Sequence, residues 1–302
     1  MTSSAVLLIL LSVVVHVAWN WLGKRQRPSA AFFWAANTAG GLFLVPAWLS
    51  QVGHLSDVPA AVWGTLTLTG FFQAFYYAAL AGAYRSGDLS VAYPIARSLP
   101  PVLVLLASLA LGRGGHISAA CGIGIGAIVL GGLALPLPRF TTVSWRRYRE
   151  GGAALAALAA VGTAGYSLLD DHGLRLLREA GSPPLGVVRA TLLYAPLEFL
   201  SSSLWLGLYV ALHRGERAAL GKVVRGEWRV TLWVGLGIAV AYGLVLVAMA
   251  FVADVSYVVA FRQLSVPLAA AVGVFWLGEA AALPRTVGVG LVTAGLVLVA
   301  VG

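Results

Sequence analysis

Long apolar runs with few charged residues dominate this chain, and they set the tightest limit on its fold. A helix needs about 20 apolar residues to cross the hydrocarbon core of a bilayer. The runs are continuous and do not alternate, which favours helices over a barrel. The sequence therefore predicts an all-α integral membrane protein with about ten transmembrane helices. The predicted spans are 4–23, 30–50, 58–84, 88–112, 116–136, 151–170, 185–211, 228–253, 254–277 and 284–301.

Composition agrees with a membrane protein. Of the 302 residues, 60% are hydrophobic and 10% are charged, whereas a soluble chain carries about 25% charged residues. The net charge of +9 does not indicate nucleic-acid binding, because the basic residues lie in short loops where topology determinants belong. The lone Cys121 excludes an intramolecular disulfide. The first span lacks a charged n-region and a cleavage motif, so we expect it to remain as a helix of the mature protein.

One segment of the chain occurs twice. Residues 88–112 read DLSVAYPIARSLPPVLVLLASLALG and residues 254–278 read DVSYVVAFRQLSVPLAAAVGVFWLG. A shift of 166 residues aligns these segments, and the same shift aligns Tyr76 with Tyr242. A fainter match sets HVAWN (16–20) against YSLLD (166–170). The pattern predicts a duplicated unit.

The duplication predicts two five-helix repeats, 1–137 and 151–302, joined by a basic linker at 138–150 within one membrane domain. Five is an odd number, so the second repeat must enter the membrane from the opposite side. Inverted repeats of this kind are typical of secondary transporters, which bind solute near the midplane between the repeats. Ten spans also predict that both termini lie on the same side.

The motifs HVAWN in the first span, AYPIARSLPPVLV in the fourth and VSYVVAFRQLSVPLAAAVGVFWLGE in the ninth resemble the EamA-type drug/metabolite transporter superfamily. The resemblance covers nearly the whole chain. It implies a proton-linked or facilitative carrier of small metabolites in a prokaryotic cytoplasmic membrane, and it does not fix the solute. Many members end the fourth and ninth spans with Gly-Glu, whereas this chain has Glu279 after Gly278 but Arg113 after Gly112. A role for paired glutamates is therefore not implied here.

Arg97 and Arg262 lie inside the fourth and ninth spans. A charge near the centre of a membrane helix costs at least about 2.5–3.5 kcal/mol on insertion scales, so such residues usually face the bundle interior. Both arginines could line a wet cavity and attract a carboxylate or phosphate group. They could also be neutralised by acids or carbonyls and only hold helices together, or extend toward the interface.

Prolines crowd the same two spans, with Pro94, Pro100 and Pro101 in the fourth and Pro267 in the ninth. A proline inside a helix removes a backbone hydrogen bond and bends the axis. Each could be a static kink or a hinge that lets one gate open while the other shuts.

The first span carries His16, Trp19 and Asn20. His16 and Asn20 are four residues apart and share a helix face, and a histidine can exchange a proton near neutral pH. They could contact solute or a proton, or make ordinary interhelical bonds, while Trp19 could equally be an interfacial anchor. Tyrosines and one amide complete the candidate set, although helix-packing tyrosines are common. These further candidates are Tyr76, Tyr93, Tyr166, Tyr242, Tyr257 and Gln263.

Two acidic groups stand apart from these candidates. Asp170, Asp171 and His172 follow an apolar run and are expected to mark the end of the sixth span, although Asp170 could face a vestibule. Glu198 lies deep in the seventh span. Glycines at 122–132 and 288–295 give the fifth and tenth spans small faces, which predicts that these two helices pack together or form a dimer seam.

Most basic loop residues follow odd-numbered spans, so the positive-inside rule places the termini outside, whereas the resemblance implies cytoplasmic termini. No phosphate-binding motif is visible in the sequence, so we expect no cofactor, no metal and no ATP-driven step. The favoured function is a secondary transporter, an exporter or exchanger, of a small anionic or zwitterionic metabolite such as an amino acid, working by alternating access as a monomer or homodimer among membrane lipids. The alternatives are a membrane enzyme acting on a lipid-linked substrate, and a channel or scaffold.

Overall fold

The structure is a computed structural model that describes residues 2–24, 29–86, 89–135, 137, 151–268 and 282–302. Of residues 24, 86, 89–94 and 151 only the backbone is described. Within these ranges all regular secondary structure is helical. Six of the described helices are long and apolar enough to cross a membrane. The protein is thus an all-helical protein built from membrane-type helices.

The described helices overlap the predicted spans, but an additional short helix, Arg214–Lys222, lies between the seventh and eighth spans, and two spans differ in length or regularity. The α-helices are α1 (Ser3–Lys24), α2 (Ala30–Leu49), α3 (Ala60–Ser86), α4 (Leu89–Ala110), α5 (Ala119–Ala134), α6 (Gly151–Arg178), α7 (Gly186–Leu212), α8 (Arg214–Lys222), α9 (Trp228–Ala248), α10 (Val255–Phe261) and α11 (Leu283–Val301). Short 3₁₀ segments join some of them, and a π-helical turn precedes α9.

The first difference concerns the sixth span, because α6 continues to Arg178 and does not end near Asp170. The expectation that Asp170 and Asp171 mark a helix end is therefore wrong, and both carboxylates are fully buried. The helix can continue past them because buried partners, described below, satisfy their oxygens.

The second difference concerns the ninth span, which is not one uniform α-helix. α10 ends at Phe261, residues Arg262–Leu264 form a 3₁₀ turn, and helical backbone resumes at 265–268. A 3₁₀ stretch inside a helix often marks a functional hinge. The interruption falls on Arg262 and Gln263, two of the predicted site residues.

Polar side chains fix several helix starts. Ser29 and Ser118 accept hydrogen bonds from Phe32 N and Cys121 N at the starts of α2 and α5. Asp254 caps α10 by accepting from Ser256 N. Such caps satisfy backbone donors that a helix leaves unpaired at its N-terminus.

Two ionic clusters identify the two ends of the bundle. At one end, called the Arg85 end, Glu216 of α8 pairs with Arg85 and accepts a hydrogen bond from Ala31 N. At the other end, called the Asp171 end, Asp171 pairs with Arg113 and Arg175. The chain runs from the Asp171 end to the Arg85 end in α1 and α3, and back again in α2 and α4.

Helix packing links the two halves of the chain. α3 packs along α6 and α7, while α9 packs along α1 and α2. α2 also packs against α7, α4 against α10, and α5 against α11. α4 additionally contacts α5 and α6. The halves are therefore interlocked and form one bundle.

Glycines bring α5 and α11 into close contact. A Cβ at Gly131 would lie 2.6 Å from the Gly288 carbonyl oxygen, and one at Gly295 would lie 2.5 Å from that of Gly124. Only glycine fits such a crossing, because no side chain separates the two backbones. The prediction that the fifth and tenth spans pack on one another is confirmed.

The surface of the bundle is apolar and its interior holds charges, the reverse of a water-soluble protein. Large side chains such as Leu204 and Trp233 are each 66% exposed, while Glu198 and Asp254 are at most 1% exposed. An apolar surface is stable against lipid tails and not in water.

Candidate functional site

A polar cavity lies inside the bundle, nearer to the Arg85 end than to the Asp171 end. Its walls come from the C-terminal halves of α1 and α3, the first half of α4, the middle of α6, and the 3₁₀ turn after α10. Seven predicted site residues line it, together with Pro100, Thr163 and several apolar groups. The seven are His16, Asn20, Tyr76, Arg97, Tyr166, Arg262 and Gln263.

Both arginines of the repeated segment reach this cavity. They share this lining with His16. Arg262 also lies over the ring of Tyr242, 5.8 Å from its centroid. A cation over an aromatic face gains electrostatic energy, more so where water is scarce. The cavity wall therefore carries two guanidinium groups.

His16 and Asn20 act as one polar unit on α1. The Asn20 amide nitrogen lies 2.8 Å from His16 Nε2 and 3.0 Å from the His16 carbonyl oxygen. Because the amide nitrogen is a donor, Nε2 is the acceptor in this arrangement. Trp19 lies behind them, with its ring edge-on to His16 at 4.8 Å and 7% exposed. It packs against Gly237 of α9 and supports His16, away from the cavity.

Tyrosine rings form the boundary of the cavity on the side of the Asp171 end. Tyr166 lies edge-on to Tyr76 at 6.0 Å and to Tyr242 at 5.8 Å. Tyr242 is buried beneath Tyr166 and Arg262 and is not itself part of the lining. The three rings come from α3, α6 and α9, so they bridge the two halves of the chain.

Below these rings lies an acid that the sequence interpretation placed at a helix end. Asp170 is fully buried and accepts hydrogen bonds from three hydroxyl groups. Its Oδ1 accepts from Thr69 Oγ1 at 2.6 Å and from Tyr194 Oη at 2.9 Å, and its Oδ2 accepts from Tyr242 Oη. Thr69 and Tyr194 were not among the predicted residues. The sequence alone does not identify such hydroxyl donors, because their role depends on the fold bringing α3, α7 and α9 together.

Arg113, which stands where the Gly-Glu pattern has glutamate, pairs with the carboxylate of Asp171. Its Nη1 donates to Asp171 Oδ2 at 3.1 Å, and Arg175 Nε donates to both Asp171 oxygens. Arg175 also donates to the Ala253 carbonyl oxygen. This cluster joins the segment after α4 to α6 and to the segment before α10 at the Asp171 end of the bundle.

Some predicted residues lie elsewhere. Tyr257 lies at the Asp171 end, where its Oη accepts from Ser118 N at 3.2 Å and lines a separate pocket with Gly302, so it is not a cavity residue. The side chains of Tyr93 and Pro94 lie outside the described residues. Pro101 lies within α4 beyond the cavity residue Pro100, and Pro267 lies in the helical turn after the 3₁₀ break. A hinge role for Pro94, Pro101 and Pro267 stays a prediction.

The cavity is almost closed in this conformation. About 30 Å³ of it is open to the centre of a water molecule. That space holds at most two or three waters, since each needs at least about 10–15 Å³ by this measure. A metabolite could enter only if the surrounding helices moved apart.

No family model and no curated protein match this chain. It is similar in fold to a solved structure described only as a crystal structure of protein, with a TM-score of 0.72 and 18% sequence identity. The alignment covers 100% of this chain and 98% of that chain. At this identity the likeness shows that the two proteins share a fold, across the whole length of both chains.

Proposed function

We propose that this chain is a secondary transporter that moves a small metabolite by alternating access. The observation that carries the proposal is the cavity itself, which is enclosed by helices of both halves and lined by Arg97, Arg262, His16 and Asn20. Buried charges in membrane proteins usually mark solute or ion pathways, because their cost must be offset by function or partners. The 3₁₀ break at Arg262 adds irregular backbone where it borders a cavity, as transporter sites commonly do.

An inverted repeat of five helices is part of the proposal, and the packing pattern supports it. We pair α1 with α6, α2 with α7, α3 with α9, α4 with α10, and α5 with α11. Under this exchange the contact of α3 with α6 corresponds to that of α9 with α1, and the contact of α3 with α7 corresponds to that of α9 with α2. All four of these helix contacts occur. The contacts of α2 with α7, α4 with α10 and α5 with α11 map onto themselves.

Particular residues follow the same exchange. Gly40 of α2 meets Gly235 of α9, and at the crossing that the exchange relates to it Gly70 of α3 meets Ser201 of α7. A backbone-close crossing therefore recurs at matching places, which supports a pseudo-two-fold axis through the bundle. The simplest arrangement with such an axis is ten membrane helices in two repeats, residues 1–137 and 151–302.

The charge on the cavity favours an anionic or zwitterionic solute, such as an amino acid. Two guanidinium groups and no described carboxylate line the cavity. A carboxylate on the solute would receive charge-assisted hydrogen bonds, which are stronger than neutral ones and strengthened further in a low-dielectric site. A simple cation would be repelled.

A place in the EamA-type drug/metabolite transporter superfamily fits this proposal, as does a prokaryotic cytoplasmic membrane. Both termini would lie on one side, at the Asp171 end. Contacts near the termini support this, because Thr2 Oγ1 donates to the Phe251 carbonyl oxygen and the Gly302 carbonyl oxygen accepts from Tyr257. Most basic loop residues would then lie at the Arg85 end, which the positive-inside rule places in the cytoplasm.

A thermal-shift screen of the purified protein in detergent tests the solute class. Amino acids, small organic acids, nucleosides, sugars and inorganic cations would be compared at equal concentration. A compound that binds the folded protein at 100 times its Kd raises stability by about 2.7 kcal/mol. The proposal predicts that stabilising compounds carry a carboxylate or phosphate group. Stabilisation by cations alone would contradict it.

A further inference from the structure

Glu198 is the least satisfied acid in the described part of the molecule. It lies in the middle of α7, is 0% exposed, and neither of its carboxyl oxygens has a hydrogen-bond partner among the described residues. Asp170 and Asp171 are equally buried, but both have donors. A charged carboxylate without donors or a counter-ion costs several kcal/mol in such surroundings, whereas the neutral acid costs far less.

Glu198 lies one helical turn from the group that links α7 to Asp170. Tyr194 precedes it by four residues on the same helix face, and Tyr194 Oη donates to Asp170 Oδ1 at 2.9 Å. The two acids are close enough for their charges to repel one another. Two neighbouring carboxylates that share a dry site cannot both hold a charge without a large penalty.

The two acids differ in the partners that surround them. Asp170 accepts three hydroxyl hydrogen bonds, which suits an acceptor-only carboxylate. Glu198 has none, which suits the protonated form. Other ionisable groups around the pair come from five helices or turns. They are Tyr77 of α3, Tyr166 and Asp171 of α6, Tyr194 of α7, Tyr242 of α9, and Arg262 beyond Tyr242.

We infer that Asp170 and Glu198 form a proton-binding site, in which Glu198 carries the proton, Asp170 carries the charge, and Tyr242 connects the pair to Arg262 in the solute cavity. The proton is taken from water and returned to water, and the only bond that forms or breaks is O–H. The site lies between the cavity and the Asp171 end, so a rearrangement at either end would change its access to water.

Coupling to solute follows from the position of Arg262 and rests on the proposed function. The guanidinium group lies over the Tyr242 ring, and the Tyr242 hydroxyl donates to Asp170. The positive charge of Arg262 favours negative charge on the acid pair. An anion bound to Arg262 offsets that positive charge and so favours a proton on the pair. Anion and proton therefore strengthen each other's binding, and the effect is reciprocal by linkage.

Infrared spectroscopy of the purified full chain tests the proton site without any solute. The C=O stretching band of protonated carboxyl groups would be compared at neutral pH in the parent, Glu198→Gln, Asp170→Asn and Glu179→Gln, where Glu179 is an exposed control. We expect part of the band to be lost in Glu198→Gln and kept in Glu179→Gln. A parent without the band, or a Glu198→Gln variant with the full band, overturns the inference.

Two additions keep the test decisive. If Glu198→Gln does not give a monodisperse protein, Glu198→Asp keeps the carboxyl group and should shift the band in frequency, whereas an unshifted band overturns the inference.

In proteoliposomes, solute exchange should depend on pH in the parent and lose that dependence in Glu198→Gln. A retained dependence would overturn the coupling. Absence of any exchange in the parent would instead count against the proposed transport function, while the infrared result would stand.

Discussion

Tyr242 donates its phenolic hydrogen bond to Asp170, which lies 72 residues earlier in the chain. The same ring lies beneath Arg262 in the cavity wall. One side chain of α9 therefore contacts both a cavity cation and a buried acid of α6. This places a polar connection among three elements of the second half of the chain, between the cavity wall and the buried acid.

Replacing Tyr242 by phenylalanine should destabilise the fold while keeping the ring beneath Arg262. Asp170 would lose one of its three hydroxyl donors, and a hydrogen bond to a charged group contributes about 1.5–3 kcal/mol. Unfolding of the purified protein in detergent would measure the loss. The matched control is Tyr209→Phe at the Arg85 end, where the ring stacks on His213. Equal stability of the two variants would show that the Tyr242 hydroxyl does not support Asp170.

Gly131→Ala should weaken the packing of α5 on α11. The added Cβ would lie 2.6 Å from the Gly288 carbonyl oxygen, so the two backbones must separate. Overpacking of this kind costs about 1–3 kcal/mol. Gly126→Ala is the control, because its Cβ meets no atom within 4 Å. That variant should be neutral or up to about 1 kcal/mol more stable, since alanine favours helix. A Gly131 variant as stable as the control would contradict this packing.

The sequence predicted many of the residues that line the cavity and few of the hydrogen bonds around Asp170. Charge inside an apolar span identified Arg97 and Arg262, and the four-residue spacing identified His16 with Asn20, because these patterns are local. Asp170 was assigned to a helix end, although the apolar residues that continue after His172 could have indicated a longer helix.

Other contacts could not be predicted at all. The donors to Asp170 are ordinary hydroxyl residues on three helices, and their role depends on which helices meet. The same holds for Arg113, whose partner Asp171 lies 58 residues away. The position of Tyr257 at the bundle end also depends on where α10 begins, which its spacing in the repeated segment does not specify.

Arg262→Gln and Arg97→Gln should each weaken binding of an anionic solute more than they weaken folding. Loss of a charge-assisted hydrogen bond costs about 1.5–3 kcal/mol, which corresponds to a loss of roughly 10- to 150-fold in affinity. Lysine should rescue only in part, because it lacks the planar fork of arginine. Ligand titrations followed by thermal shift would report the affinity, with the exposed Arg217→Gln as control. Parental affinity in both variants would assign the arginines a structural role.

Accessibility labelling should place the basic segments on one side of the membrane. In a Cys121→Ser background, cysteines at positions 26, 147 and 217 should react with an impermeant reagent from the same side. A cysteine at position 116, at the Asp171 end, should react only from the opposite side. Glu216 contacts Arg85 and Ala31, so position 217 lies at the same end of the bundle as the start of α2. Labelling of positions 26 and 147 from opposite sides would mean that the number of spans between them is wrong.

Counterflow in proteoliposomes tests the central claim most directly. Vesicles containing the purified protein would be loaded with an unlabelled mixture of amino acids and small organic acids, and then given a trace of the same labelled compounds outside. A carrier exchanges solute across a closed membrane without net flux, so labelled solute should accumulate transiently in these vesicles and not in protein-free ones. Accumulation should fall in Arg262→Gln and not in Arg217→Gln. Absence of exchange for every anionic and zwitterionic compound, or exchange of simple cations alone, would contradict the account.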